Sequence, residues 1–235
     1  METILEKFAG ELKATYGTNM LSLVLYGSKA SGEDTPGHSD YNILVILETV
    51  SFAHLQVDGI LTKWIRKGNP PPLVFSKELF LNSSDIFPIE FLDMKDKHKI
   101  LYGEDPFTDL VVDLKHLRHQ CEFEMTGKLL KLRQSFMPIA GEPKKVRQLL
   151  VGSLSSFLVV FRHILRLYGK VLPVTKMETL RELAHCIDFN PAVFETVQRM
   201  KQEDRDALKL DPETVMEEYL AQVEKIAMAV DKVTH

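Results

Sequence analysis

The sequence predicts an α+β chain in two parts: an N-terminal α/β half with a short mixed sheet, then an all-helical bundle, divided near residue 108 (1–108 and 109–235). Three observations predict it. Short apolar runs bounded by Gly, Ser and Pro occupy the first part. From about Asp109 apolar residues recur at spacings of three and four. No strand signal follows Met94.

Thr3 is placed to cap a first helix with Ile4, Leu5, Phe8 and Leu12 on its apolar side, and Gly17 to stop it. Leu21–Tyr26 and Ile43–Leu47 read as apolar strands. The loop between them is rich in Ser, Gly, Asp and Pro, the composition of a turn that shapes a site. Ser51 starts a second helix that buries Phe52, Leu55, Ile60, Leu61, Trp64 and Ile65 and ends at Gly68. Asn69-Pro70-Pro71-Pro72 is an extended connector. Leu73–Ser76 and Phe87–Met94 read as two further strands.

In the second part Leu110, Leu114, Leu117, Cys121, Met125, Leu129, Leu132 and Phe136 form the stripe of a long helix that Met137-Pro138 ends. Val146–Tyr168 is apolar nearly all round, as suits the central helix of a bundle. Three shorter helices follow, started by Thr175 with Glu178 as a capping box, by Asn190 before Pro191, and by Asp211 before Pro212.

Composition narrows the function. With 45% hydrophobic and 26% charged residues the chain is an ordinary globular one. A net charge of −4 argues against non-specific binding to nucleic acid or to an anionic membrane. Cys121 and Cys186 show no metal-ligand spacing and fit a reduced compartment. The N-terminus reads as an amphipathic helix, and no run approaches the ~18 apolar residues that span a bilayer. A cytoplasmic protein without membrane association is expected.

The chemistry-bearing stretch is Leu21 to Leu47. Gly27-Ser28 ends one strand, and Asp40 and Asn42 enter the next. Backbone N–H groups and the hydroxyl near Ser28 can hold phosphate oxygens, and oxygens at i and i+2 of a strand point to one face and can share a divalent cation.

Tyr26-Gly27-Ser28 followed by Ser39-Asp40-Tyr41-Asn42 resembles the signature of the nucleotidyltransferase superfamily that includes DNA polymerase beta: a Gly-Ser, a spacer of roughly ten residues, and two acids at i and i+2 before an apolar strand. Lys29, Gly32, Ser39 and Asp40 are similar to the loop of small bacterial and aminoglycoside nucleotidyltransferases. The resemblance covers about residues 20 to 105. It implies a third carboxylate on a later strand, and Glu90 matches it; Asp93 would point to the opposite face.

What the resemblance implies is Mg²⁺-dependent transfer of a nucleoside monophosphate from a nucleoside triphosphate, with ATP expected, to a hydroxyl acceptor. Gly27, Ser28 and Lys29 would bind the triphosphate. Asp40, Asn42 and Glu90 would ligate metal, with Asp40 and Glu90 the catalytic acids. A small-molecule or protein hydroxyl ranks above nucleic acid as acceptor. In aminoglycoside nucleotidyltransferases the bundle helps close over the acceptor, in some across a dimer, so a homodimer through the helical part is among the implied partners. Adjacent Arg118-His119 and Arg162-His163 lack the spacing of the related helical ribonucleases, which disfavours RNase activity.

Asn42 departs from the pattern, because an amide brings an oxygen without a charge. One tightly held metal, substitution by Glu33 or Asp34 from the loop, or a catalytically degenerate binding or protein-interaction module all remain open. Asp113, His116, His119 and Glu122 on one side of the long helix read as a solvated face, His163 as a core or interface residue, Cys121 as an inert core thiol, and Tyr41 as packing beneath the site. Arg162, His163 and Arg166 are weaker candidates for acceptor contacts.

Overall fold

A computed structural model describes residues 3–32, 40–57 and 59–233. Within residues 1–113, one of two compact units, four short strands form a mixed sheet in the order β3-β2-β1-β4. β1 (Met20–Tyr26) lies between β2 (Asn42–Leu47) and β4 (His98–Gly103), antiparallel to both, and β3 (Leu73–Ser76) runs parallel to β2. The parallel pair requires a crossover, supplied by α3 (Phe52–Leu55) and α4 (Ile60–Ile65). A four-residue helix, α2 (Ser28–Ser31), follows β1 directly.

Alternation along the strands builds a core on each face of the sheet. On one face Leu23, Leu25, Ile43, Val45 and Leu47 meet Trp64 and the buried side of α1 (Ile4–Tyr16), Phe8, Leu12 and Tyr16. Phe8 stacks on Trp64 with ring centroids 3.9 Å apart. On the other face Val24, Leu44 and Ile46 pack against Phe80 of α5 (Lys77–Leu81), Phe91 and Met94 of α6 (Pro88–Asp96), and Phe107 and Leu110. Each such buried aromatic contributes roughly 1.5–3 kcal/mol of transfer free energy.

The capping box of Thr3 and Glu6 starts α1, and Gly17 ends it. Other expectations need correction. Residues 88–96 are helical, not a strand: Pro88 takes the first helical position, where its fixed φ and missing N–H suit a helix start, and Glu90 lies in the first turn. A short apolar run fits either period, and here the cap chemistry decides. The fourth strand is His98–Gly103, beyond Met94, an edge strand only partly buried. Leu110 precedes the long helix and belongs to the core of the first unit. The helix expected from Ser51 is two short ones, α3 and α4.

Residues 114–235 form the second compact unit, built among its described residues from α7 (Leu114–Phe136), α8 (Pro143–Leu167), α9 (Lys176–Ala184), α10 (Ala192–Lys201) and α11 (Pro212–Asp231). Thr175 with Glu178 and Asp211 cap α9 and α11 as their sequences require. α8 is long and apolar enough to cross a membrane by length and composition, with a mean hydropathy of 1.5 over its most apolar window. Its Leu154, Phe161, His163 and Ile164 are fully buried within the unit.

Candidate functional site

The site is a corner where β1 ends and β2 begins. Asn42, the first residue of β2, pairs in register with Tyr26, the last of β1. Leu44 and Ile46 pack on the α6 face of the sheet and Ile43 and Val45 on the α1 face. By the same alternation Asp40 and Asn42 belong to the α6 face and Tyr41 to the other.

Gly27 makes the turn. Its φ of 82° and ψ of −158° lie in a region that essentially only glycine occupies. Its N–H donates to the Lys97 carbonyl at 2.9 Å, and its own carbonyl accepts from the Ala30 N–H at 3.0 Å. A Cβ at Gly27 would stand 3.3 Å from Asn42 Nδ2. The glycine therefore brings the backbone of the Gly-Ser turn against the side chain of Asn42. Gly27, Ser28 and Asn42 form one corner, and Asp40 enters it two residues before Asn42.

The Asp40–Asn42 segment is held from behind by side chains. The Tyr41 N–H donates to Asn69 Oδ1 at 3.2 Å, and Asn69 is itself buried. Tyr41 packs in the α1 core, its ring 5.9 Å from that of Trp64, whose Nε1 donates to the Pro70 carbonyl at 2.7 Å. Tyr41 lies beneath the site as the sequence suggests. Lys29 stands over the Tyr41 ring, Nζ 4.2 Å from its centroid, a cation–π contact that ties the turn to the metal-ligand segment. Burial raises the ionisation of the Tyr26 phenol beside Asn42 above its ordinary range.

Glu90 does not come from a strand. It is exposed in the first turn of α6, a helix whose Phe91 and Met94 lie over the face that carries Asn42. β3, the strand parallel to β2, reads Leu73-Val74-Phe75-Ser76 and brings no acid. Glu33, Asp34 and Ser39 lie outside the described residues. Among the described residues, no group of three or more His, Cys, Asp or Glu is placed to hold a metal ion. One carboxylate and one amide fit a single Mg²⁺ arriving on a triphosphate, since that ion takes one or two protein oxygens and completes its octahedron with phosphate and water. They do not by themselves supply the charge for two ions.

No protein-family model matches the chain, and no curated protein matches it in sequence. In structure it is similar to spectinomycin adenyltransferase AAD(9) from Enterococcus faecialis, solved with ATP and spectinomycin: TM-score 0.55 and 14% identity over 94% of this chain and 98% of that one. The fold is of the nucleotidyltransferase type.

Two positioning groups were not read from the sequence. Asn69 acts through a bond to a backbone 28 residues away, and Lys97 through its carbonyl at the start of β4. The remaining candidates take structural places. Glu122 accepts from Arg118 at 2.9 Å on α7, Arg162 donates to the Pro173 carbonyl at 3.0 Å, and His163 is buried within the helical unit. Burial drives the Cys121 thiol far above its usual range, so it stays protonated.

Proposed function

We propose that the chain binds a magnesium–nucleoside triphosphate, ATP first, at the corner of Gly27, Ser28, Asp40 and Asn42, and transfers its nucleoside monophosphate to a hydroxyl of a small molecule. One observation carries the reading: the Gly-Ser backbone lies against the Asn42 side chain on the fold of an adenyltransferase that was solved with ATP. Asp40 and Asn42 would hold the ion and the Gly27–Lys29 backbone with the Ser28 hydroxyl the terminal phosphates. Bound Mg²⁺ supplies charge neutralisation of the triphosphate. The acceptor oxygen attacks the α-phosphorus, the bond to the bridging oxygen breaks, and pyrophosphate leaves. Glu90, reaching from α6, is the acid proposed to take the acceptor proton. The neighbour's spectinomycin favours a small polyhydroxylated acceptor over a protein or a nucleic acid.

A second reading, a nucleotide-binding module without transfer, is favoured by the absence of an acid on β3 together with the amide at position 42. Calorimetric titration with a non-hydrolysable ATP analogue, with and without Mg²⁺, tests what the readings share. Magnesium-dependent binding is expected; no binding in either condition would sink both. Release of pyrophosphate in the presence of aminocyclitol acceptors, lost in Glu90→Gln while binding persists, separates the first from the second.

A further inference from the structure

The outward side of α7 carries an apolar stripe that the fold does not use. Phe123, Leu130 and Met137 recur every seven residues and are 76%, 51% and 69% exposed, while Leu117, Cys121, Met125, Leu129 and Leu132 of the same stretch are buried. Between Phe123 and Leu130 sits Gly127. A mid-helix glycine costs about 1 kcal/mol relative to alanine, and a Cβ built there meets nothing within 4 Å. Nothing inside the chain therefore requires a glycine at that point, whereas a second backbone lying across the helix would. Around it runs a shallow groove of about 430 Å³, lined by His119, Glu122, Phe123, Thr126, Gly127 and Leu130.

Charge selects the occupant. Within two turns of Gly127 the acids Glu122 and Glu124 lie on its N-terminal side and the cations Lys128, Lys131 and Arg133 on its C-terminal side. A second α7 running antiparallel sets each acidic half against a basic half; a parallel one sets like against like. The stripe is also its own mirror under a two-fold axis at Thr126–Gly127: Phe123 of one helix falls opposite Leu130 of the other. The seven-residue spacing is that of a two-helix seam.

We propose that two copies of this chain pair through antiparallel α7 helices crossing at Gly127. The flanks of the seam then bring Lys131 of each copy near Glu124 of the other.

Sedimentation equilibrium of the full chain from roughly 1 to 100 μM, where such interfaces commonly associate, gives the test. The expected mass at the upper end is twice the chain's 26.8 kDa. Phe123→Ser should leave a monomer, and Lys131→Glu and Glu124→Lys should each raise the dissociation constant at least tenfold. Mixing those two variants should restore dimer as a heterodimer, because each flank of the mixed pair again sets one acid against one cation; two misfolded chains would not rescue each other. A single-chain mass throughout the range, as for a face covered by a different partner, would overturn the proposal. So would a dimer that none of the three substitutions weakens, or a mixture as monomeric as its components.

Discussion

The two sides of the corner are held by different means. The Gly27 side is fixed by backbone hydrogen bonds, from Gly27 N–H to Lys97 and from Ala30 N–H to Gly27. The Asp40–Asn42 side is fixed by side chains: Asn69 on the Tyr41 N–H, and Trp64 and Lys29 on the Tyr41 ring. A backbone-held turn depends on conformation, so only Gly27 is irreplaceable within it. A side-chain-held segment depends on each of its supports. The difference separates what grips phosphate from what places the metal ligands.

Asp40→Ala should have the largest effect, removing the carboxylate and lowering Mg²⁺-dependent triphosphate affinity by roughly 100-fold or more in calorimetry, since even outer partners of a metal ligand are worth about 10- to 100-fold. Unchanged affinity would move the metal elsewhere. Gly27→Val should come next. Its φ of 82° and the nearby Asn42 amide predict about 1–3 kcal/mol of strain and loss of nucleotide binding, with a melting point lower by about 2–10 °C. Ser28→Ala should keep most of the affinity, and an equal loss there would break the backbone reading of that side.

Asn69→Ala leaves the Tyr41 N–H without its acceptor and should cost about 1–3 kcal/mol in urea unfolding. It should also weaken Mg²⁺-dependent binding without touching nucleotide. Stability that falls while affinity holds would show that Asn69 supports the core alone. Asn42→Asp should have the smallest effect, raising Mg²⁺ affinity by about tenfold, or ~1.4 kcal/mol. No gain, or lower stability from crowding two carboxylates, would favour the non-catalytic module.

The backbone-held side was legible in the sequence because it is local: an apolar strand, Gly-Ser, and a second apolar strand lie within one stretch. Helix starts were legible wherever the cap lies next to its target, as at Thr3, Thr175 and Asp211. Residues 88–96 were read as a strand because Ile89, Phe91, Leu92 and Met94 are apolar at spacings that suit neither period cleanly; the deciding signals were Pro88 and Glu90 in the first turn. β4 was missed because an edge strand with His98, Lys99 and Tyr102 half-exposed shows little alternation. Asn69 carried no signal at all, since a bond spanning 28 residues exists only once the crossover has folded.

The chain contains one tryptophan, and it is the residue on which Tyr41 leans. Trp64 is buried, stacked on Phe8 and hydrogen-bonded through Nε1. Its ultraviolet emission is thus a built-in optical gauge of the Asp40–Asn42 segment, blue-shifted in the folded chain and unmixed with signal from any other indole. Occupancy of the corner can be followed by light on the unmodified protein, and loss of the Asn69 tether would register as a red shift before the sheet comes apart.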